Sequence, residues 1–189
     1  AIYDKVGRAD LKYLPFIPGS DYDPDKGPDI FRLIRQGDIL LHHPFQSFRP
    51  VVELVTQAAA DPDVLAIKQT LYRTDSQSQM AKALIDATRA GKDVTAVVEL
   101  RARFEEAANI DLATRLQEVG ANVVYGVVGY KTHAKMLLIV RRESGKLRYY
   151  VHLGTGNYHV KTAQQYTDFG LLTADQRIGE DVHKLFMQL

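Results

Sequence analysis

Strand-like and helix-like hydrophobic patterns alternate along the middle of this chain, and that alternation leaves few folds open to it. Asp38 to His42 reads as a strand, and Pro50 to Ala60 as a helix with Val51, Leu54, Val55 and Ala58 on one face. Val64 to Tyr72 is an apolar, β-branched run of strand length. Ser76 and Gln79 then have capping-box spacing, and Met80, Ala83, Leu84 and Ala87 form a helical stripe that Gly91 ends. Val94 to Leu100 is a second buried-type strand. Glu105 to Val119 is a helix with Leu112, Leu116 and Val119 inward, closed by Gly120, and Asn122 to Tyr125 is a short strand.

The rhythm then changes. Two strands, about 132–141 and 147–153, are joined by Glu143-Ser144-Gly145-Lys146, a hairpin signature. Thr167 to Leu172 is one more strand, and a terminal helix runs from Asp175. Helix-separated strands followed by a hairpin predict an α/β protein with a mixed β-sheet flanked by helices. Residues 1–36 are interrupted by Pro15, Pro18, Gly19, Pro24, Gly27 and Pro28, and are expected to be an extended connector from a missing upstream domain. Residues 37–189 are expected to form the folded domain.

The 189 residues can bury a real core, and 46% apolar with 25% charged residues excludes a disordered chain. The net charge is +1, so affinity for polyanions must come from local clustering. No cysteine is present, which excludes disulfides and thiolate metal sites and suits a reducing compartment. There is no apolar run of membrane-spanning length, secretory signal, internal repeat or low-complexity stretch. The chain begins at Ala1 and stops at Leu189 inside an amphipathic pattern, as expected of a domain excised from a longer protein.

Chemistry concentrates in Lys131-Thr132-His133-Ala134-Lys135, which runs into Met136 to Val140. In an extended strand His133 and Lys135 project to one face. The strand-like run Leu147 to Leu153 ends in the small-residue loop Gly154-Thr155-Gly156-Asn157. An imidazole to attack phosphorus, an ammonium to neutralise charge and a loop open to close approach suit phosphoryl transfer. A strand carrying a polar pair at a sheet end would show the same pattern. Arg73, Arg101 and Arg103 follow two other strands, and several guanidinium groups at comparable sheet ends suit phosphate.

Other motifs are missing. Gly154 and Gly156 lack the third glycine of a dinucleotide fingerprint, and there is no P-loop, G-x-S-x-G or H-E-x-x-H. His42 and His43 are adjacent and face opposite ways in a strand, which disfavours a shared metal. His159 and His183 have no partner pattern, and Glu105 and Glu106 suit the first turn of a helix. His152 is either a support behind the loop or an ordinary hydrogen-bonded strand histidine.

H-x-K followed some twenty residues later by G-[ST]-x-N resembles the half-site of the phospholipase D superfamily, although Val140 stands where that family places an aspartate. Longer stretches are similar to bacterial polyphosphate kinases: 38–45, 65–73, 98–106, 152–157, Lys161-Thr162-Ala163 and Tyr166-Thr167-Asp168. The resemblance covers nearly the whole chain and matches the first of two phospholipase-D-like C-terminal domains.

What the resemblance implies is transfer of the ATP γ-phosphate to the end of a polyphosphate chain, reversibly, through a phosphohistidine. His133 matches the nucleophile, Lys135 its charge partner and His152 a second implicated histidine. Arg73, Arg103, Tyr166 and Asn157 match phosphate or ATP contacts. Mg²⁺ is implied near Arg73 and Arg103 through phosphate, with no direct protein ligand. ATP or ADP, inorganic polyphosphate and the remaining domains are the implied partners. The expectation extends to a homo-oligomeric, cytoplasmic parent, possible peripheral membrane attachment, and no nucleic-acid partner. The fragment alone is expected to be inactive. Two alternatives are a phospholipase-D-type phosphodiesterase or nuclease half-site, and a non-catalytic polyphosphate- or nucleotide-binding module.

Overall fold

The computed structural model describes residues 5–14, 16–20, 22, 29–72, 78–99, 106–127 and 129–189. After a 3₁₀ turn at Ala9–Leu11 come α1 (Ile30–Gln36), β1 (Ile39–His43), α2 (Arg49–Ala60), β2 (Val64–Leu71) and α3 (Gln79–Arg89). The chain continues through β3 (Asp93–Val98), α4 (Glu106–Glu118), β4 (Asn122–Val124), β5 (Lys135–Glu143) and β6 (Lys146–Gly154). It ends with α5 (Val160–Ala163), β7 (Asp168–Thr173) and α6 (Gln176–Gln188). The strands form one sheet in the order β1-β7-β6-β5-β2-β3-β4. Pairs β2–β3 and β3–β4 are parallel, as their helical crossovers require, and the rest are antiparallel.

The expected helix faces are the buried ones. Val51, Leu54, Val55 and Ala58 of α2, and Leu84 and Ala87 of α3, are 0% exposed and pack on one side of the sheet with Ile67, Leu137, Tyr150 and Leu172. The other side carries a smaller cluster under α6, in which Val182 and Phe186 meet Met136, Leu138, Val140 and Val151. Val140 therefore lies in apolar packing on the face opposite Lys135, where an unpaired carboxylate would be costly. Ser144 and Gly145 adopt φ of 48° and 78°, the paired left-handed geometry of a tight hairpin turn. Among the described residues no helix is long and apolar enough to cross a membrane.

Three local expectations are corrected. Ile30 to Gln36, read as part of an extended connector, is a helix whose Ile30, Phe31 and Ile34 are in the core. The preceding chain also touches the body: Gly19 bridges to Gln46, and Gln57 Nε2 donates to the buried Tyr22 hydroxyl at 2.8 Å. The α3 cap is Ser78, whose hydroxyl accepts from Ala81 N–H; Ser76 lies outside the described residues. The strand expected over 132–141 starts only at Lys135, so His133 is in the segment leading into β5.

Candidate active site

Antiparallel pairing of β5 with β2 brings the start of β5 to the edge where β2 and β3 end. The starts of β5 and β7 and the ends of β1, β2, β3 and β6 thus share one edge. The last β2–β5 pair in register is Gln69 with Leu137. Beyond it Thr70 substitutes a side chain for the ladder: its Oγ1 donates to Ala134 C=O at 2.7 Å and accepts from Met136 N–H at 3.0 Å. One hydroxyl therefore clasps the backbone on both sides of Lys135. Glu99, 3% exposed, accepts from Thr132 N–H at 2.8 Å and so fixes the chain one residue before His133. Asn109 Nδ2 ties the ends of β2 and β3 by donating to Tyr72 C=O and Glu99 C=O, each at 2.9 Å.

On this platform His133 is exposed while Lys135 is only 6% exposed. The Lys135 ammonium lies 2.9 Å from His133 Nε2 and 3.0 Å from Nδ1, across one edge of the ring. An ammonium only donates, so the ring nitrogen it bonds must carry a lone pair. Tyr72 completes the cluster, its ring edge-on to His133 at 5.1 Å and 5.4 Å from the ammonium. Burial pushes the Lys135 ammonium below the ordinary lysine range, opposed by the negative charge of Asp168.

The glycine loop is stitched to β7. Thr155 Oγ1 donates to Asp168 Oδ1 at 2.8 Å and accepts from Phe169 N–H at 2.9 Å, and Thr155 N–H donates to Phe169 C=O. Asp168 packs against Gly156 so closely that a β-carbon there would lie 2.6 Å from its Cγ. Behind the loop, His152 is 1% exposed with Nδ1 2.9 Å from the Tyr158 hydroxyl. Burial first, and nearby His43 second, push the His152 ring down to about 3, so it is neutral.

Comparison with known proteins decides the family. The sequence model for polyphosphate kinase C-terminal domain 1 matches residues 29–189. The chain belongs to the polyphosphate kinase family. A polyphosphate kinase of Xylella fastidiosa is 64% identical over 188 residues, covering 100% of this chain and 26% of that protein. The solved polyphosphate kinase from Porphyromonas gingivalis superposes with a TM-score of 0.76 at 38% identity, over 87% of this chain and 28% of that one. Nuc, a phospholipase D family member from Salmonella typhimurium, superposes with a TM-score of 0.61 at 18% identity, over 80% of this chain and 92% of that one, a likeness of fold. The chain thus spans about a quarter of the length of the polyphosphate kinases it matches.

Within this polyphosphate kinase domain, His133, Lys135 and Asn157 stand at the same edge, with His152 beneath the loop rather than facing solvent. Tyr166 is 61% exposed on the turn before β7, two residues from Asp168. Arg73, Arg101 and Arg103 lie outside the described residues. Sequence reasoning assigned no role to Thr70, Tyr72, Glu99, Asp168 or His43. A polar residue closing an apolar strand, as at Thr70 and Glu99, was the available signal.

Proposed function

We propose that this domain carries the phosphoryl-accepting centre of a polyphosphate kinase, in which His133 takes the γ-phosphate of ATP and passes it to a polyphosphate end. The observation that carries the reading is the exposed His133 ring with an ammonium 2.9 Å away at the sheet edge. A His133 ring nitrogen attacks the γ-phosphorus, the bond to the bridging oxygen breaks, and ADP leaves with that electron pair. A terminal polyphosphate oxygen then attacks the same phosphorus and the imidazole recovers its lone pair. The reverse sequence makes ATP. The transition state is loose and highly charged, so positioning and positive charge dominate. A cation about 4 Å from a phosphoryl oxygen contributes roughly 4 kcal/mol at intermediate dielectric, the role given to Lys135 and, from the resemblance, to Arg73 and Arg103. Asn157 and Tyr166 are assigned to phosphate and nucleotide on the same footing.

Among the described residues no three His, Asp or Glu side chains come together to hold a metal ion. Mg²⁺ commonly takes only one or two carboxylates together with water and substrate phosphates, so the ion implied near Arg73 and Arg103 stays a proposal and no step here runs through it. His152 is assigned to positioning, because its ring is enclosed and neutral. In the full-length kinase, His133→Ala is expected to abolish transfer of label from γ-³²P-ATP to protein. Acid-labile label persisting in that variant overturns the assignment. Steady nitrophenol release from bis-p-nitrophenyl phosphate would favour the hydrolase alternative; the apolar surroundings of Val140 weigh against it.

A further inference from the structure

Three enclosed polar atoms belong to residues behind the glycine loop: His43 Nε2, His152 Nε2 and Asn157 Oδ1, none reached by a hydrogen-bonding protein group. All three residues line one cavity of about 10 Å³, with Phe48, Gly154, Gly156, Ala163, Asp168 and Phe169 around them. That is roughly the space one water molecule needs. His43 and His152 are 3% and 1% exposed and come from β1 and β6, which β7 separates. They converge over Gly170, where a β-carbon would lie 2.7 Å from His152 Nε2 and 3.5 Å from His43 Nε2. The absence of a side chain there keeps the space open.

The proton count is complementary. His43 Nδ1 is 2.8 Å from Gln46 C=O, which can only accept, so the imidazole tautomer that donates there has a bare Nε2. The Tyr158 hydroxyl is 2.9 Å from His152 Nδ1 but 3.5 Å from His152 C=O, so its proton goes to Nδ1 and Nε2 carries the hydrogen. Beside the Asp168 carboxylate, the unpartnered atoms at the cavity are one donor, His152 Nε2–H, and two acceptors, His43 Nε2 and Asn157 Oδ1. A water accepting one bond and donating two satisfies all three. We propose that this cavity is a built site for a single water, which fixes the His152 tautomer and holds Asn157 with its oxygen inward and its NH₂ toward the His133 side. The second half rests on the proposed phosphoryl transfer, making His43 a positioning residue three steps from the phosphorus; the water site itself does not.

Nitrogen-resolved NMR of this chain with ¹⁵N-labelled histidine tests the site at neutral pH. The expected result is His152 as the Nε2–H tautomer, with a cross-peak from that proton to a long-lived water. An Nδ1–H tautomer for His152, or an Nε2–H without the water cross-peak, overturns it. His43→Phe removes one acceptor and fills the space, so the cross-peak should vanish. If that variant does not fold, the unsubstituted chain still decides. Asn157→Asp keeps an acceptor for the water but removes the outward NH₂. It should retain the cross-peak in this chain and slow phosphoryl transfer at least tenfold in the full-length kinase. A retained cross-peak with an unchanged rate overturns the amide orientation. Persistent label in His133→Ala overturns the functional reading while leaving the water site standing.

Discussion

Gly156→Ala gives a direct measure of how tightly the glycine loop is seated on β7. The backbone at Gly156 is outside the left-handed region, so an alanine there carries no intrinsic backbone strain. Its nearest obstacles are all atoms of Asp168: Cγ at 2.6 Å, Cβ at 3.0 Å and Oδ2 closer still. Asp168 cannot swing away freely, because Thr155 Oγ1 holds its Oδ1 at 2.8 Å and Phe169 N–H holds Thr155 Oγ1 at 2.9 Å. Overpacking costs about 1–3 kcal/mol, and losing the partly exposed Thr155–Asp168 bond adds about 1 kcal/mol. The expected destabilisation is about 2–4 kcal/mol, read by urea unfolding of this chain followed by far-UV circular dichroism. Asp168→Gly removes every one of those contacts. In that background Gly156→Ala should be neutral or stabilising by about 0.4–1 kcal/mol, through the unfolded chain. The double-mutant cycle should therefore return a coupling of about 2–5 kcal/mol. Equal costs of Gly156→Ala in both backgrounds would refute the argument.

Thr70→Val should destabilise by about 1–3 kcal/mol, since it leaves the buried Met136 N–H without its acceptor, whereas Thr70→Ser should stay near the parent. Amide exchange at Met136 should accelerate in the valine variant alone, and equal behaviour of the two variants would contradict the clasp. His152 supplies a pH dependence. Its folded value of about 3 lies below the ordinary 6.5, so between them the unfolded chain takes a proton the native ring refuses. Stability from this group is full above 6.5 and falls as pH drops toward 3. Relative to His152→Phe, the parent should lose about 2 kcal/mol between neutral pH and about pH 5, at 1.36 kcal/mol per unit. A pH-independent difference in urea stability between the two would show the ring is less enclosed than described.

What depends on local pattern was legible in the sequence. The inward faces of α2 and α3, the Ser144-Gly145 turn, and the left-handed Gly91 and Gly120 after α3 and α4 follow from the spacing of apolar residues and from glycine's tolerance of positive φ. That His133 and Lys135 meet was legible in their i, i+2 spacing, although His133 precedes β5 rather than lying in it. Only the tertiary structure decided that Lys135 is buried, that Thr70 ends the β2–β5 ladder, and that Asp168 seats Gly156. It also decided that His43 turns in toward His152 while His42 stacks on Phe169 at 4.6 Å. These contacts depend on β7 lying between β1 and β6. Side-chain periodicity is set by each strand alone, whereas neighbours across a sheet are chosen by how all the strands and helices pack together.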